Sequence, residues 1–342
     1  MTSRQKPPVR IATVTVGTNE LRWLGPCLES LLASDAGGVE LTVWYVDNAS
    51  RDGSAAFVRG RFPQVRVIEN PGNLGFARAN NIGMRAALDA GADYVFLVNP
   101  DTRTPPDLIT ALVAFGEAWP EYGIFGPMQH QYEADEPKVI ISEYNNWSQT
   151  ALRWGEQHAF AGDWPDRPSP ASPSAGRAPG TLEHAYVQGA ALVARAEVLR
   201  AIGLFDPVFH TYYEETDLCR RARWGGWRVA LVVGLGIQHY GGGGTAGNGR
   251  YRRVQMRRNR YYYLLTDVDW PPVSALRLAG RWLRADLRGR SVGGRTGVVR
   301  GIWETVQALA WLADRAGIMR HRRRSHRYLR ALHGPVRPGG GV

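Results

Sequence analysis

The chain has 342 residues, 44% of them hydrophobic and 21% charged, enough to bury a substantial core in one large domain or two smaller ones. Two cysteines, Cys27 and Cys219, exclude a disulfide framework and fit a reducing compartment. The net charge of +11 is unevenly placed: from Arg250 to Val342 there are 21 arginines, no lysine and 5 acidic residues, so the tail carries +16 and the rest −5, and an anionic partner is expected for the tail.

MTSRQKPPVR leads straight into IATVTV without the apolar region and cleavage site of a signal peptide. The longest nearly apolar stretches, around Val229–Ile237 and Val306–Ala313, fall short of the ~20 residues that span a bilayer. A cytoplasmic protein is expected, free or peripheral on the inner face of the plasma membrane. Arg10–Val16 reads as a buried strand rich in β-branched residues, and Leu21, Leu24, Leu28, Leu31 and Leu32 recur at helical spacing. A strand at Glu40–Val46 ends in the polar turn Asp47-Asn48-Ala49-Ser50, followed by a helix near Ser54–Arg61 and a strand at Val65–Glu69. The loop Asn70–Gly75 opens a helix through Ala77–Ala90, and the strand Tyr94–Val98 stops at Asn99-Pro100-Asp101-Thr102. This alternation predicts an α/β fold with a mostly parallel, Rossmann-like sheet flanked by helices, and ligands bind beyond the carboxyl ends of such strands. Gln131 to about Gly180 loses the pattern, and its Pro/Ser/Ala/Gly-rich part, about 162–180, reads as a mobile loop. Regular structure resumes at Tyr186–Ala194, with a helix at Ala196–Ile202, another starting near Glu215 and a strand at Trp227–Leu231.

Four constellations carry chemistry. Asp101, closing a central strand, can offer a hard oxygen ligand to Mg²⁺ or Mn²⁺ bridging a diphosphate, or it can cap the next helix, which Pro105-Pro106 would open. Tyr212-Tyr213-Glu214-Glu215-Thr216-Asp217 places three carboxyls among aromatics. Desolvation there raises a carboxyl pKa towards that of a general base, whereas Asp217 reads as a charge favourable to a helix N-terminus. His239, after a strand and before Tyr240 and four glycines, can be a metal ligand beside a phosphate-covering loop, or a hydrogen-bonded loop residue. Asn73, Gly75, Arg78 and Asn80 lie at a loop–helix junction suited to phosphate or polar ligand groups, or to plain helix capping. The absence of a Walker A loop and of G-x-G-x-x-G removes support for kinases and dehydrogenases.

The stretches VTVGTNELRWLGPCLESLL, VWYVDNASRDGS, ENPGNLGFARANNIG, YVFLVNPDT, VQGAALVARAEVLRAIGLFDPVF, YYEETDLCRRARWGGW and IQHYGGGGT cover most of residues 10–245. In that order the chain resembles glycosyltransferase family 2, in particular its rhamnosyltransferase-like branch. The resemblance implies a GT-A fold, a nucleoside-diphosphate sugar donor, a divalent cation and inversion at the anomeric carbon. It places Asp47, with Asn48, at the nucleoside end of the donor and the Thr18–Asn19 turn beside the base. It puts Asp101 at the metal and the donor, His239 as a further metal ligand, and Glu215 where an Asp usually deprotonates the acceptor hydroxyl. Asn99 stands where many relatives carry the first Asp of D-x-D, and the extra methylene of Glu215 leaves Glu214 as a rival base. A glycan or lipid-linked acceptor and a role in cell-wall polysaccharide synthesis are expected. Residues 1–249 would form the GT-A catalytic domain and 250–342 a basic helical extension.

In that extension Val273, Leu276, Gly280, Leu283 and Leu287 form an apolar stripe, with Arg277, Arg281, Arg284 and Arg288 one position on. Ile302, Val306, Leu309 and Ala313 make a second apolar face, before the Arg320–Arg324 cluster. Such faces suit an anionic membrane surface, or packing on the catalytic domain with the arginines solvated. Two rival functions are a nucleic-acid-binding protein, resting on RRVQMRRNRYYYL, and a catalytically silent scaffold, resting on Asn99 and Glu215. Strand-end carboxylates would repel nucleic acid, which weighs against the first.

Overall fold

The computed structural model describes residues 7–35, 37–131, 178, 180–183, 186–240, 249–288, 290–291, 294–295 and 298–333. Most of the Pro-rich segment at 162–180, and the glycines after Tyr240, lie outside the described residues.

The strands are β1 (Val9–Gly17), β2 (Val39–Asp47), β3 (Arg66–Glu69), β4 (Tyr94–Val98), β5 (Thr102–Arg103), β6 (Tyr122–Gln131), β7 (Thr181–Glu183), β8 (Ala191–Arg195) and β9 (Arg228–His239). The helices are α1 (Leu21–Leu32), α2 (Ser54–Arg61), α3 (Phe76–Asp89), α4 (Leu108–Ala118), α5 (Ala196–Ile202), α6 (Glu214–Trp224), α7 (Gly249–Thr266), α8 (Pro272–Leu287), α9 (Val298–Asp314) and α10 (Ala316–His333).

One sheet runs in the order β3-β2-β1-β4-β8-β6-β9-β5, with β7 beside β9. The first four strands are parallel, because each is joined to the next by a helix crossover. β8 is antiparallel to both β4 and β6, and β6 and β9 are again parallel. Apolar cores fill both faces: Leu24, Leu28, Leu31 and Leu112 pack against Tyr45 and Phe96 on one, and Ala79, Met84, Val198 and Leu218 against Val14 and Leu97 on the other. Leu24, Leu28 and Leu31 are fully buried, so the three-and-four spacing of α1 is a buried stripe. On the opposite face α3 lies very close to β1. A Cβ on Gly83 would sit 2.3 Å from Val14 Cγ1, so only glycine permits that approach. This is the GT-A arrangement, with the polar ends of β1, β2 and β4 opening on one edge.

The C-terminal helices pack on one another and on α6. Phe209, Tyr261, Tyr262 and Leu312 form a further core beneath the loop before α6. Several tail arginines are buried in ion pairs rather than solvated. Arg257 donates to Glu304 Oε2 at 2.8 Å and Arg260 pairs with Asp286. Arg253 also meets Glu304, so much of RRVQMRRNRYYYL is committed inside the protein. Other apolar positions face outward: Val273 and Leu276 on α8, and Val299, Ile302, Trp303, Val306 and Leu309 on α9. Among the described residues no helix is long and apolar enough to cross a membrane.

Candidate functional site

The two-residue strand β5 brings Asp101 and His239 together. Its Thr102 pairs with His239 at the end of β9, and the Tyr240 N–H donates to the Asp101 carbonyl at 2.9 Å. Asp101 therefore ends in a strand pairing rather than capping α4, which starts at Leu108. His239 Nε2 lies 3.2 Å from Asp101 Oδ1, and both residues are buried. The other ring nitrogen, Nδ1, is 2.9 Å from Gln129 Oε1. An amide oxygen only accepts, so Nδ1 carries a hydrogen; in the neutral ring the Nε2 lone pair then faces the carboxylate. Nε2 has no hydrogen-bond partner. A lone pair and a carboxylate oxygen at this separation repel unless positive charge lies between them, and an imidazole oriented through its far nitrogen is the usual form of a metal-ligating histidine. The residues thus fit a divalent cation. Among the described residues no group of three or more His, Cys, Asp or Glu could hold a metal. A cation held by these two residues would draw its remaining ligands from phosphate and water.

A second acidic group, which the sequence pattern did not single out, lies nearby. Glu20 is buried at the start of α1, and burial, then the Asp101 charge, pushes its carboxyl up to about 7. Gln129 was also missed. It lies inside β6, and only the β6–β9 register puts it beside His239.

The β1 and β2 ends build a second part of the edge. Asp47 Oδ1 accepts from the Tyr45 hydroxyl at 3.0 Å and Oδ2 from the Ser50 N–H at 2.9 Å. Thr18 Oγ1 donates to the Asn48 carbonyl, and Asn19, at φ 58°, accepts from the Arg51 N–H at 2.7 Å. These bonds knit the turns after β1 and β2 into one rim. The Asn48 carboxamide bonds Asn70, Asn73 and the Leu74 N–H, and Asn73 Oδ1 also accepts from Gly75 N–H. Asn80 is buried and donates to the Phe76 carbonyl. Asn48 and Asn73 thus shape the rim and Arg78 is exposed on it, whereas Asn80 is bonded inside α3 and does not join them. Gly75, at φ 79°, lies under the His210 ring, where a Cβ would come within 2.2 Å of Nδ1.

Glu214 and Glu215 begin α6. Glu214 is buried; Glu215 is partly exposed, and one oxygen of each carboxyl is shut off from solvent without a partner. Burial, then the Glu215 charge, raises the Glu214 carboxyl well above the ordinary carboxylate range. Burial also pushes Glu215 up to about 7, with backbone N–H groups and the Glu214 hydrogen bond working the other way. Both carboxyls are therefore raised by burial, and the adjacent pair favours sharing a proton over carrying two charges. Asp217 differs: burial alone would raise it, but Arg221 at 2.7 Å and Arg220 hold its carboxyl far below the usual range. The dyad adjoins the β4 end through one short segment. The Asn99 N–H donates to the Ala190 carbonyl at 3.0 Å, and a Cβ on Gly189 would sit 3.8 Å from Glu215 Cβ.

The loop before the dyad is strained. His210, Tyr212 and Tyr213 have φ of 61°, 67° and 74°, a region that costs non-glycine residues ~1–3 kcal/mol each. Asn259, fully buried on α7, holds it there. Its carboxamide nitrogen lies 3.0, 2.7 and 2.8 Å from the carbonyls of Phe209, Thr211 and Tyr212. Nothing in the sequence pattern singled out Asn259 among the arginines around it.

The model of the family "Glycosyl transferase family 2" matches residues 14–164. Over 277 residues the chain is 28% identical to N-acetylglucosaminyl-diphospho-decaprenol L-rhamnosyltransferase of Mycobacterium tuberculosis, covering 77% of this chain and 84% of the relative. Among solved structures, the mannosyltransferase PcManGT of Pyrobaculum calidifontis, in complex with GDP-Man and Mn²⁺, superposes with a TM-score of 0.54 at 17% identity, over 95% of this chain and 86% of that one. S. aureus TarS 1–349 gives the same TM-score at 12% identity, over 95% and 88%. At these identities the structures speak for the fold alone, while the family match and the rhamnosyltransferase relative speak for the chemistry. With a GT-A sheet and a glycosyltransferase family 2 match over residues 14–164, the chain is a glycosyltransferase.

Proposed function

We propose that the chain moves a hexose, with L-rhamnose the first candidate, from a nucleoside diphosphate to a hydroxyl of a lipid-linked or cell-surface glycan acceptor, with inversion. The observation that carries this reading is the placing, on one sheet edge, of the buried His239 Nε2 beside Asp101 and of the buried Glu214–Glu215 carboxyl pair. The acceptor class is supported by the name of the M. tuberculosis relative, and the donor class by the family match.

In this reading the Thr18–Asn19 turn and Asp47, with Asn48, border the nucleoside, and Asn73 and Gly75 form the rim beside the donor's polar groups. Asp101 and His239 hold a divalent cation, Mn²⁺ or Mg²⁺, which supplies positive charge to the departing diphosphate when bound. Glu215, the ionised partner, accepts the proton of the acceptor hydroxyl. That oxygen forms its bond to the anomeric carbon as the carbon–oxygen bond to the diphosphate breaks, and the bonding pair leaves with the nucleoside diphosphate. A single displacement of this kind inverts the anomeric centre. Glu214, holding the shared proton, donates to Glu215 and keeps its charge in place.

Residues 1–249 form the catalytic unit in this proposal, and 250–342 an extension that braces it and meets an anionic membrane surface. Support for the surface comes from α9, where Val299, Ile302, Trp303, Val306 and Leu309 are exposed at helical spacing, next to exposed Arg277, Arg284 and Arg288 on the neighbouring α8. A thermal-shift screen of nucleotide sugars tests the central claim. Stabilisation by the preferred donor should grow with Mn²⁺ and lose that Mn²⁺ dependence in Asp101→Asn; equal shifts with and without the metal would remove the cation from the proposal.

A further inference from the structure

A groove of about 850 Å³ runs between α3, the Ala201–Pro207 segment and α10. It lies off the Asp101–His239 edge but starts beside the dyad loop. Leu74 lines its inner end; the next residue, Gly75, lies under the His210 ring, and Ala77 N–H donates to the His210 carbonyl at 3.0 Å. Glu214 follows four residues after His210. The other end opens over α10 at Tyr328 and Leu332, which are 67% and 59% exposed.

The groove's charge is asymmetric. Arg221 and Arg322 line it but are neutralised internally, by Asp217 at 2.7 Å and Asp206 at 2.9 Å. Arg78 and Arg85 are exposed, and neither forms an ion pair among the described residues. They stand seven residues apart on one face of α3, about 10 Å along the helix, with Ile82 between them. Leu74, Ile82, Leu329 and Leu332 supply apolar wall. Two unneutralised guanidinium groups above an apolar floor call for a ligand carrying a compact multiple negative charge on a long hydrocarbon body.

We infer that this groove binds the isoprenoid-diphosphate portion of the acceptor. The sugar hydroxyl then lies at the dyad, the diphosphate at Arg78 and Arg85, and the hydrocarbon chain runs out past Leu329 and Leu332. The inference rests on the lipid-linked-acceptor reading and deepens it. It explains why the α3 face beside α10 carries two arginines with no internal work, on a helix whose other faces pack the core.

Calorimetric titration of the full chain with farnesyl diphosphate, farnesol and inorganic diphosphate tests it without requiring turnover. Farnesyl diphosphate should bind at least tenfold tighter than either other probe. Arg85→Ala should weaken it about tenfold, and Leu332→Asp should weaken it while leaving inorganic diphosphate unchanged. Both positions are exposed, so folding is not at stake, and nucleotide titration should give the same donor affinity in each variant. Inorganic diphosphate binding as tightly as the prenyl compound, or no effect of either substitution, overturns the groove. Transfer to a water-soluble glycan with no preference among the three probes overturns it too, yet leaves the transferase reading standing. Tight farnesyl diphosphate binding that both variants lose, in a chain that transfers no sugar to any acceptor, upholds the groove and counts against the proposed reaction.

Discussion

Glu215→Gln should kill the enzyme and stabilise the protein, and the second effect should depend on pH. Glu215 is raised from the ordinary 4.5 to about 7 in the folded chain. In the unfolded chain it ionises near its ordinary value, so between the two the folded state binds the extra proton and stability falls as pH rises. The penalty is absent below about pH 4.5, grows through 7 and is complete above it. Its size at pH 8 is about 3 kcal/mol. Gln keeps the shape without the charge, so Glu215→Gln should melt up to ~5 °C higher at pH 8, with little difference at pH 5. Transfer should fall by ~10²–10⁴, as expected for loss of a general base, while nucleotide-sugar binding persists. Differential scanning fluorimetry from pH 5 to 8, beside a transfer assay, reads both. Near-normal transfer, or a melting difference that ignores pH, would refute the reasoning.

Three further outcomes separate the remaining roles. With Glu215 as the proposed base, Glu214→Gln should retain most of its transfer rate, with the acid limb of the pH–rate profile still near 7; a loss as deep as that of Glu215→Gln would make Glu214 the base. Asn259→Ala strands buried carbonyls at a cost of about 1–3 kcal/mol and frees the strained loop. It should lower kcat more than tenfold at unchanged donor KM, and shift the acid limb below 7 as water reaches the dyad. An unmoved limb would reduce Asn259 to a purely structural part. Trp303→Glu with Ile302→Glu on α9 should abolish sedimentation with anionic liposomes without altering activity on a soluble acceptor, whereas equal binding by the double variant would clear α9 of a membrane role.

Local periodicity carried the fold a long way. α1, α2, β4 and α5 fall on the spans read from the sequence, because each has a burial pattern of its own. What escaped depends on pairings between distant segments. β5 is two residues long and has no periodicity, yet it alone brings Asp101 to His239. The antiparallel insertion of β8 between β4 and β6 looks, residue by residue, like any buried strand. The dyad was legible because three carboxyls among aromatics are chemically costly wherever they fold. Glu20, Gln129 and Asn259 were not, since a lone polar residue signals nothing until its partner is known. The tail arginines misled for the same reason: Arg257 and Arg260 are as basic in sequence as Arg277, and only Glu304 and Asp286 set them apart.

The fastening of the last helices to α6 has a consequence for anyone dissecting this protein. Arg220 reaches the Tyr263 carbonyl and Asp267, Arg322 clasps Asp206, and Asn259 grips the loop that aims the dyad. A chain cut at residue 250 would leave anions and cations stranded in its interior and the reaction loop without its clamp. Chimaeras that exchange tails between relatives would then work only where donor and recipient share these clasps, whatever their overall similarity.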